Sequence, residues 1–210
     1  RPRGEFRRRH RQAAKLAPGT PPVHILQVSD LHLGLLTGPR RLRPVLRLVR
    51  EARPDLLVAT GDILDAVGEH LEPLAAMWRE VDAPLGKFAV TGNHEYYTGI
   101  RGAIGFLEDA GFRVLRDETA VLPGVTNVVG VEYQGPRSLR DPAQRQRPLA
   151  ALLEEADPGL FTLLLKHLPL GFEEEVAPLG VGLQLSGHTH DGQLWPFRWL
   201  VRLSFPHTAG

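Results

Sequence analysis

Apolar residues fall into short runs that alternate with stretches of helical spacing. "VHILQV" (Val23 to Val28), "DLLVAT" (Asp55 to Thr60) and "GKFAVT" (Gly86 to Thr91) have the length and β-branched content of buried strands. Between the first two, Leu42, Val45, Leu46 and Val49 recur at helical spacing; a "TGP" turn precedes them, Pro44 sits in the first turn and Pro54 marks the end. The spacing predicts a second helix over Leu71 to Glu80 and a third over Ile100 to Ala110, stopped by Gly111. "FRVL", "TAVL" and "TNVVGVEY" then read as three short strands, and "PGLFTLLLKH" (Pro158 to His167) and "VGLQLS" (Val181 to Ser186) as two more buried ones. "QGPRSLRDPAQRQRP" (Gln134 to Pro148) is polar and proline-rich, a surface connection or a lid. An α/β domain with ligands at the carboxyl ends of its strands is the expectation.

Composition narrows the chemistry. At 210 residues, 42% hydrophobic and 23% charged, the chain can bury one sizeable core. It has no cysteine, which excludes disulfides, zinc fingers and thiol nucleophiles, so any metal must sit on oxygen and imidazole. The net charge of +1 hides a split: residues 1 to 15 carry seven basic residues and Glu5, a balance of +6, leaving −5 for the rest. A basic arm over residues 1–22 followed by one α/β domain over 23–210 is the expected organisation. The arm is either a solvated tail or a contact for anionic lipid headgroups or nucleic acid. No apolar run approaches membrane-spanning length. Arg1 in place of a starting methionine suggests a piece of a longer product.

Each strand end delivers polar residues: "SDLH", "GDILD", "GNHE", "KHLP" and "GHTH". A lone Asp after a strand usually caps a helix and a lone His is usually structural, but five strands ending this way form a set. In Asp30-Leu31-His32 an extended backbone would place both polar side chains on one side and Leu31 in the core. His188-Thr189-His190 repeats that spacing, with Gly187 allowing close backbone approach. Asp62 can bridge two cations, Asn93 adds a carbonyl oxygen and His167 another imidazole.

This ordered set, D-x-H, G-D, G-N-H, H and G-H-x-H, resembles the calcineurin-like metallophosphoesterase superfamily from about Val23 to Pro196. "SDLHLG", "GNHEYY" and "LSGHTHxGQ" look most like its membrane-associated branch, which implies a membrane-associated full-length product, with the present chain itself soluble. The resemblance implies an αββα sandwich of two mixed sheets flanked by helices, with the C-terminal closing strands missing. It implies a dinuclear metal-dependent phosphoesterase that attacks a phosphodiester, pyrophosphate or phosphomonoester with a metal-bridging hydroxide. Carried over, one ion would be held by Asp30, His32, Asp62 and His190, and the other by Asp62, Asn93, His167 and His188. His94 would protonate the leaving oxygen or orient a ligand. Mixed oxygen and nitrogen donors suit manganese, iron or zinc; the affinity order favours zinc, availability decides in the cell, and manganese is the first choice.

Asp65 and Glu95 are expected to orient the site rather than touch metal. Tyr96, Tyr97, Trp195 and Phe197 are candidate walls for a lipid or nucleoside group, or plain loop packing. Asp191 adds a charge beside the ions, and Glu132 stands where the branch has a different turn. Lys166 should point away from the metals by strand alternation. The expected partners are a phosphate-ester substrate, possibly lipid-linked, and an anionic membrane surface through residues 1–15, with no specific nucleic acid and no obligate protein partner. The alternatives are a binding scaffold of the same fold and a membrane-surface module, both without turnover.

Overall fold

The computed structural model describes residues 22–34, 37–136 and 147–188. Two four-stranded sheets stack face to face. The first is parallel throughout, in the order β1 (Ile25–Val28), β2 (Leu56–Thr60), β3 (Lys87–Val90) and β4 (Arg113–Val114). The second is mixed: β5 (Glu118–Leu122) runs antiparallel to β6 (Thr126–Val131), which pairs in parallel with β7 (Phe161–Lys166), and β7 with β8 (Leu183–Leu185).

Period-two alternation builds the layers. On β2, Leu57 and Ala59 face the helices α1 (Pro39–Ala52), α2 (Glu72–Arg79) and α4 (Ile100–Asp109), where they meet Leu42, Leu46, Trp78 and Phe106. Leu56 and Val58 point the other way and pack with Val128, Leu163 and Leu165 of the second sheet. On the far side of that sheet, Val129 and Leu164 pack against Leu152 of α5 (Leu149–Leu153) and Val176. Helix, sheet, sheet and helix thus form the expected four layers, each closed by apolar burial.

Local chemistry sets the element ends. Helix α1 starts five residues before Pro44: Pro39 occupies the first helical turn, and Pro44 lies inside, on the exposed face, where its missing N–H leaves a carbonyl open to water. Gly111, at φ 87°, ends α4 as the sequence predicts. Strand β8 is half-buried rather than buried. A short helix α3 (Asn93–Thr98), absent from the hydrophobic pattern, follows β3 directly.

Candidate metal centre

Parallel pairing brings the carboxyl ends of β1, β2, β3, β7 and β8 to one edge, and contacts across the two sheets close it. Gln27 Nε2 donates to Thr60 Oγ1 and to the Ser186 carbonyl, at 2.7 and 2.8 Å, and His188 N donates to Asp30 Oδ1 at 3.0 Å. Of the eight residues singled out from the sequence, Asp30, His32, Asp62, Asn93, His94, His167 and His188 come together here. His190, with Asp191, Trp195 and Phe197, lies outside the described residues.

The backbone that presents them is not extended. Asp30, His32, Asp62 and His188 have φ of 54°, 49°, 53° and 73°, in the left-handed region. Only Arg53 and Asp117 share that property among the described non-glycine residues. Each such residue costs about 1 kcal/mol or more. The expected extended Asp30-Leu31-His32 is therefore corrected. Its N–H groups follow the neighbouring loop instead, His32 N to Asp62 O at 3.1 Å and Leu33 N to Ile63 O at 2.8 Å, while Leu31 does pack on the core.

Glycines make room for this. A Cβ on Gly61 would lie 2.5 Å from His167 Nδ1 and 2.7 Å from Gly92 N, and one on Gly187 would meet Ser29 Oγ and Asp30 Oδ2. Close approach at Gly187 is what the sequence predicts.

Two groups of donor atoms share Asp62. Asp30, His32 and Asp62 offer one set. Asp62, His167 and His188 offer the other, joined by Asn93. In the second set His167 Nε2 is 3.2 Å from Asn93 Oδ1, 3.2 Å from His188 Nδ1 and 3.4 Å from Asp62 Oδ2, and His188 Nδ1 is 3.0 Å from Asn93 Oδ1. Ligands ~2.1 Å from a common ion sit ~3.0–3.4 Å apart at the corners of an octahedron or tetrahedron. His167 Nδ1 contacts the Thr60 carbonyl at 2.7 Å, so it carries a proton and leaves Nε2 as a lone pair in the neutral ring. Lone pairs of nitrogen and oxygen converging at this spacing fit a divalent cation.

Electrostatics agree. Burial pushes the His167 imidazole down, but the Asp62 carboxylate and the Thr60 carbonyl outweigh it and raise its pKa. Burial pushes the Asp62 carboxyl up, and His167 with the His94 N–H brings it below the ordinary carboxylate value. The pocket favours positive charge beside a carboxylate.

Supporting side chains fix the orientation. Asp65 Oδ1 lies 2.7 Å from Nδ1 of both His32 and His94, whose rings meet edge to face with centroids 4.5 Å apart. One oxygen accepts from both rings and turns each Nε2 outward. Glu95, fully buried, accepts four backbone N–H groups: Gly92 at 2.7 Å, Ile63 at 2.8 Å, Asp62 at 3.0 Å and Leu64 at 3.1 Å. Burial and the Asp62 charge push its carboxyl up, against the pull of those donors. Glu95 thus holds backbone amides of the loops after β2 and β3, while Asp65 contacts two of the histidines and is itself close enough to them to share an ion.

Glu132 is not among these groups. It is buried against the Tyr96 hydroxyl and Arg116 Nε, tying the end of β6 to α3. Lys166 reaches the Leu170 carbonyl at 3.2 Å. The sequence reading missed Tyr133, whose ring lies edge-on to His167 with centroids 6.1 Å apart; its position just past β6 is the only signal.

Comparison with known proteins adds four findings. The family model described as calcineurin-like phosphoesterase matches residues 23–192. An uncharacterized metallophosphoesterase of Aquifex aeolicus is 39% identical over 205 residues, 95% of this chain and 75% of that protein. A transmembrane protein with metallophosphoesterase domain from Danio rerio is 31% identical over 196 residues, 90% of this chain but 45% of its own length. One crystal structure superposes with a TM-score of 0.52 at 18% identity, over 80% of this chain and 84% of that one, a likeness of fold.

Proposed function

The chain belongs to the calcineurin-like phosphoesterase family of metal-dependent hydrolases, and from that premise we propose that it hydrolyses a phosphoester at a centre of two divalent cations. The observation that carries this reading is the convergence of His167 Nε2, His188 Nδ1, Asn93 Oδ1 and Asp62 Oδ2 at 3.0–3.4 Å, with Asp62 shared by the Asp30 and His32 group.

In this reading Asp30, His32, Asp62 and His190 hold one ion, and Asp62, Asn93, His167 and His188 hold the other. Manganese is the first choice, ahead of zinc or iron. When bound, two such ions acidify water, orient the phosphoryl group and neutralise charge developing on its oxygens. The chain's own residues do the rest. Two carboxylates, Asp30 and Asp62, offset half the charge of two divalent cations and leave the site matched to an anionic phosphate. His94, steadied on Asp65 through Nδ1, turns Nε2 toward the leaving oxygen and delivers its proton. His32, steadied by the same oxygen, keeps its own Nε2 on the metal side.

Diesters, pyrophosphates and monoesters, lipid-linked ones included, share the phosphate this site recognises. A contact between residues 1–15 and an anionic surface is part of the reading; it draws on the +6 balance of that segment and on relatives named as transmembrane proteins. No helix of the described residues is long and apolar enough to cross a membrane.

The test is turnover of bis(p-nitrophenyl) phosphate and a panel of monoesters and pyrophosphates after reconstitution with manganese, zinc or iron. Hydrolysis that requires metal and is lost in Asp62→Asn is expected. A folded, metal-loaded protein inert on the whole panel would leave a binding scaffold as the better reading.

A further inference from the structure

Two tyrosines, Tyr97 and Tyr133, lie beside the candidate centre. Tyr97 lies three residues after His94 on α3, so both side chains leave the same face of the helix, and their ring centroids are 5.5 Å apart. Tyr97 keeps 51% of its surface exposed, and is the one aromatic among the exposed large hydrophobic side chains described. Its neighbour Tyr96 is 8% exposed and spends its hydroxyl on Glu132, a structural role. Tyr97 has the opposite character: a large ring left in solvent beside a candidate proton donor.

Tyr133 approaches from the other sheet. Its ring is held edge-on to His167, at 6.1 Å and 76°, and tilted against Tyr96 at 6.0 Å. Its phenol lies beside that of Tyr97, and burial together with that neighbour raises its pKa. The pair therefore spans from His94 on one side to His167 on the other, and packing on these neighbours restricts a side chain that is half in water. Restraint before binding lowers the entropy lost on contact.

We propose that Tyr97, braced by Tyr133, is a stacking site for a planar aromatic ring carried on the leaving-group oxygen of the phosphoester. This rests on the phosphoesterase reading above, which places the leaving oxygen at His94. The atoms that follow that oxygen then pass over the Tyr97 ring, whose centroid is 5.5 Å from that of His94. A flat ring gains from the complementary charge distribution of two aromatic faces, which a saturated ring of the same size does not.

Calorimetry on the manganese-loaded protein tests this, with three probes: inorganic phosphate, phenylphosphonate and cyclohexylphosphonate. The last two are close in size and differ in aromaticity. The phenyl compound is expected to bind about fivefold more tightly than the cyclohexyl one, the size of a typical aromatic pair. Tyr97→Leu, which keeps apolar bulk, is expected to bring the two within about twofold by removing that pair. Tyr133→Phe keeps the ring and removes the hydroxyl beside Tyr97, and is expected to shrink the preference part of the way. Phosphate binding without a phenyl preference, or a preference that survives Tyr97→Leu, overturns the stacking site and leaves the metal centre standing. An unchanged preference in Tyr133→Phe removes Tyr133 from it. If loaded protein does not bind inorganic phosphate, the phosphoesterase reading itself fails and the stacking site falls with it.

Discussion

The Glu95 carboxylate accepts the backbone N–H of Asp62 at 3.0 Å while the Asp62 carboxylate accepts that of His94 at 2.9 Å, so the loops after β2 and β3 hold each other in place. Glu95→Ala would strand four buried N–H donors. At ~1–3 kcal/mol for each buried unpaired donor, less what entering water restores, a loss of about 3 kcal/mol or more is expected. Glu95→Gln should cost less, because it retains one carbonyl oxygen and turns an amide N–H₂ against donors. Urea denaturation of the metal-free protein checks both; a change within experimental error in Glu95→Ala would mean that water reaches these amides.

Metal content follows from the sharing of Asp62. Elemental analysis after manganese reconstitution should give two ions per chain, one on removing Asn93 with Asn93→Ala, and fewer than one in Asp62→Ala. Chelation should lower the denaturation midpoint, since a ligand at a hundred times its Kd adds about 2.7 kcal/mol per site. One ion in the unmodified, folded chain would rule out the shared arrangement.

His94 and Asp65 should act on the leaving group together. His94→Ala is expected to reduce kcat by roughly 10²–10⁴ on diesters with poor leaving groups and much less on p-nitrophenyl esters, at unchanged metal content. Asp65→Asn should show the same leaving-group bias at smaller size, and in addition weaken the ion held by His32 by about 10–100-fold, because the same oxygen orients both rings. Equal losses on good and poor leaving groups would remove the proton-donor role.

Gly61 has φ of 90° and its hydrogen points at His167 and Gly92. Gly61→Ala adds a methyl where none fits and strains the backbone, so a loss of ~2–4 kcal/mol is expected, with the ion at His167 lost first. Unchanged stability and metal content would show that this turn can move as a body.

For residues 1–15, co-sedimentation with phosphatidylserine vesicles is expected at low salt, where each basic residue near the surface contributes ~1 kcal/mol, and should fall as salt is raised. Deleting the segment should abolish it. Binding that ignores salt would assign the contact to other residues.

Much of this architecture is legible in the chain because strands buried on both faces read as continuous apolar runs, and β2 and β7 are of that kind. The residues at their carboxyl ends, Asp62 and His167, were legible for the same reason. What is hidden is hidden physically. A spacing of two in Asp30-Leu31-His32 is compatible with a strand or with two left-handed residues, and the choice is made by hydrogen bonds to Asp62 and Ile63, thirty residues away. Helix α3 has six residues, too few to show a period, and its sequence "NHEYYT" is mostly polar. The Thr60 carbonyl, which fixes the tautomer of His167, is a backbone atom with no side-chain signature.

The left-handed quartet of Asp30, His32, Asp62 and His188 has a consequence for anyone redesigning this protein. Replacing these positions by residues that relax the chain, glycine above all, is the obvious route to a more stable variant, and idealised backbones are built on that logic. These four residues are also candidate metal ligands, so a stability screen run without metal would reward the loss of their donor atoms. Selection for thermostability in this fold has to be carried out with the ions present, or it will converge on a robust protein with nothing to hold them.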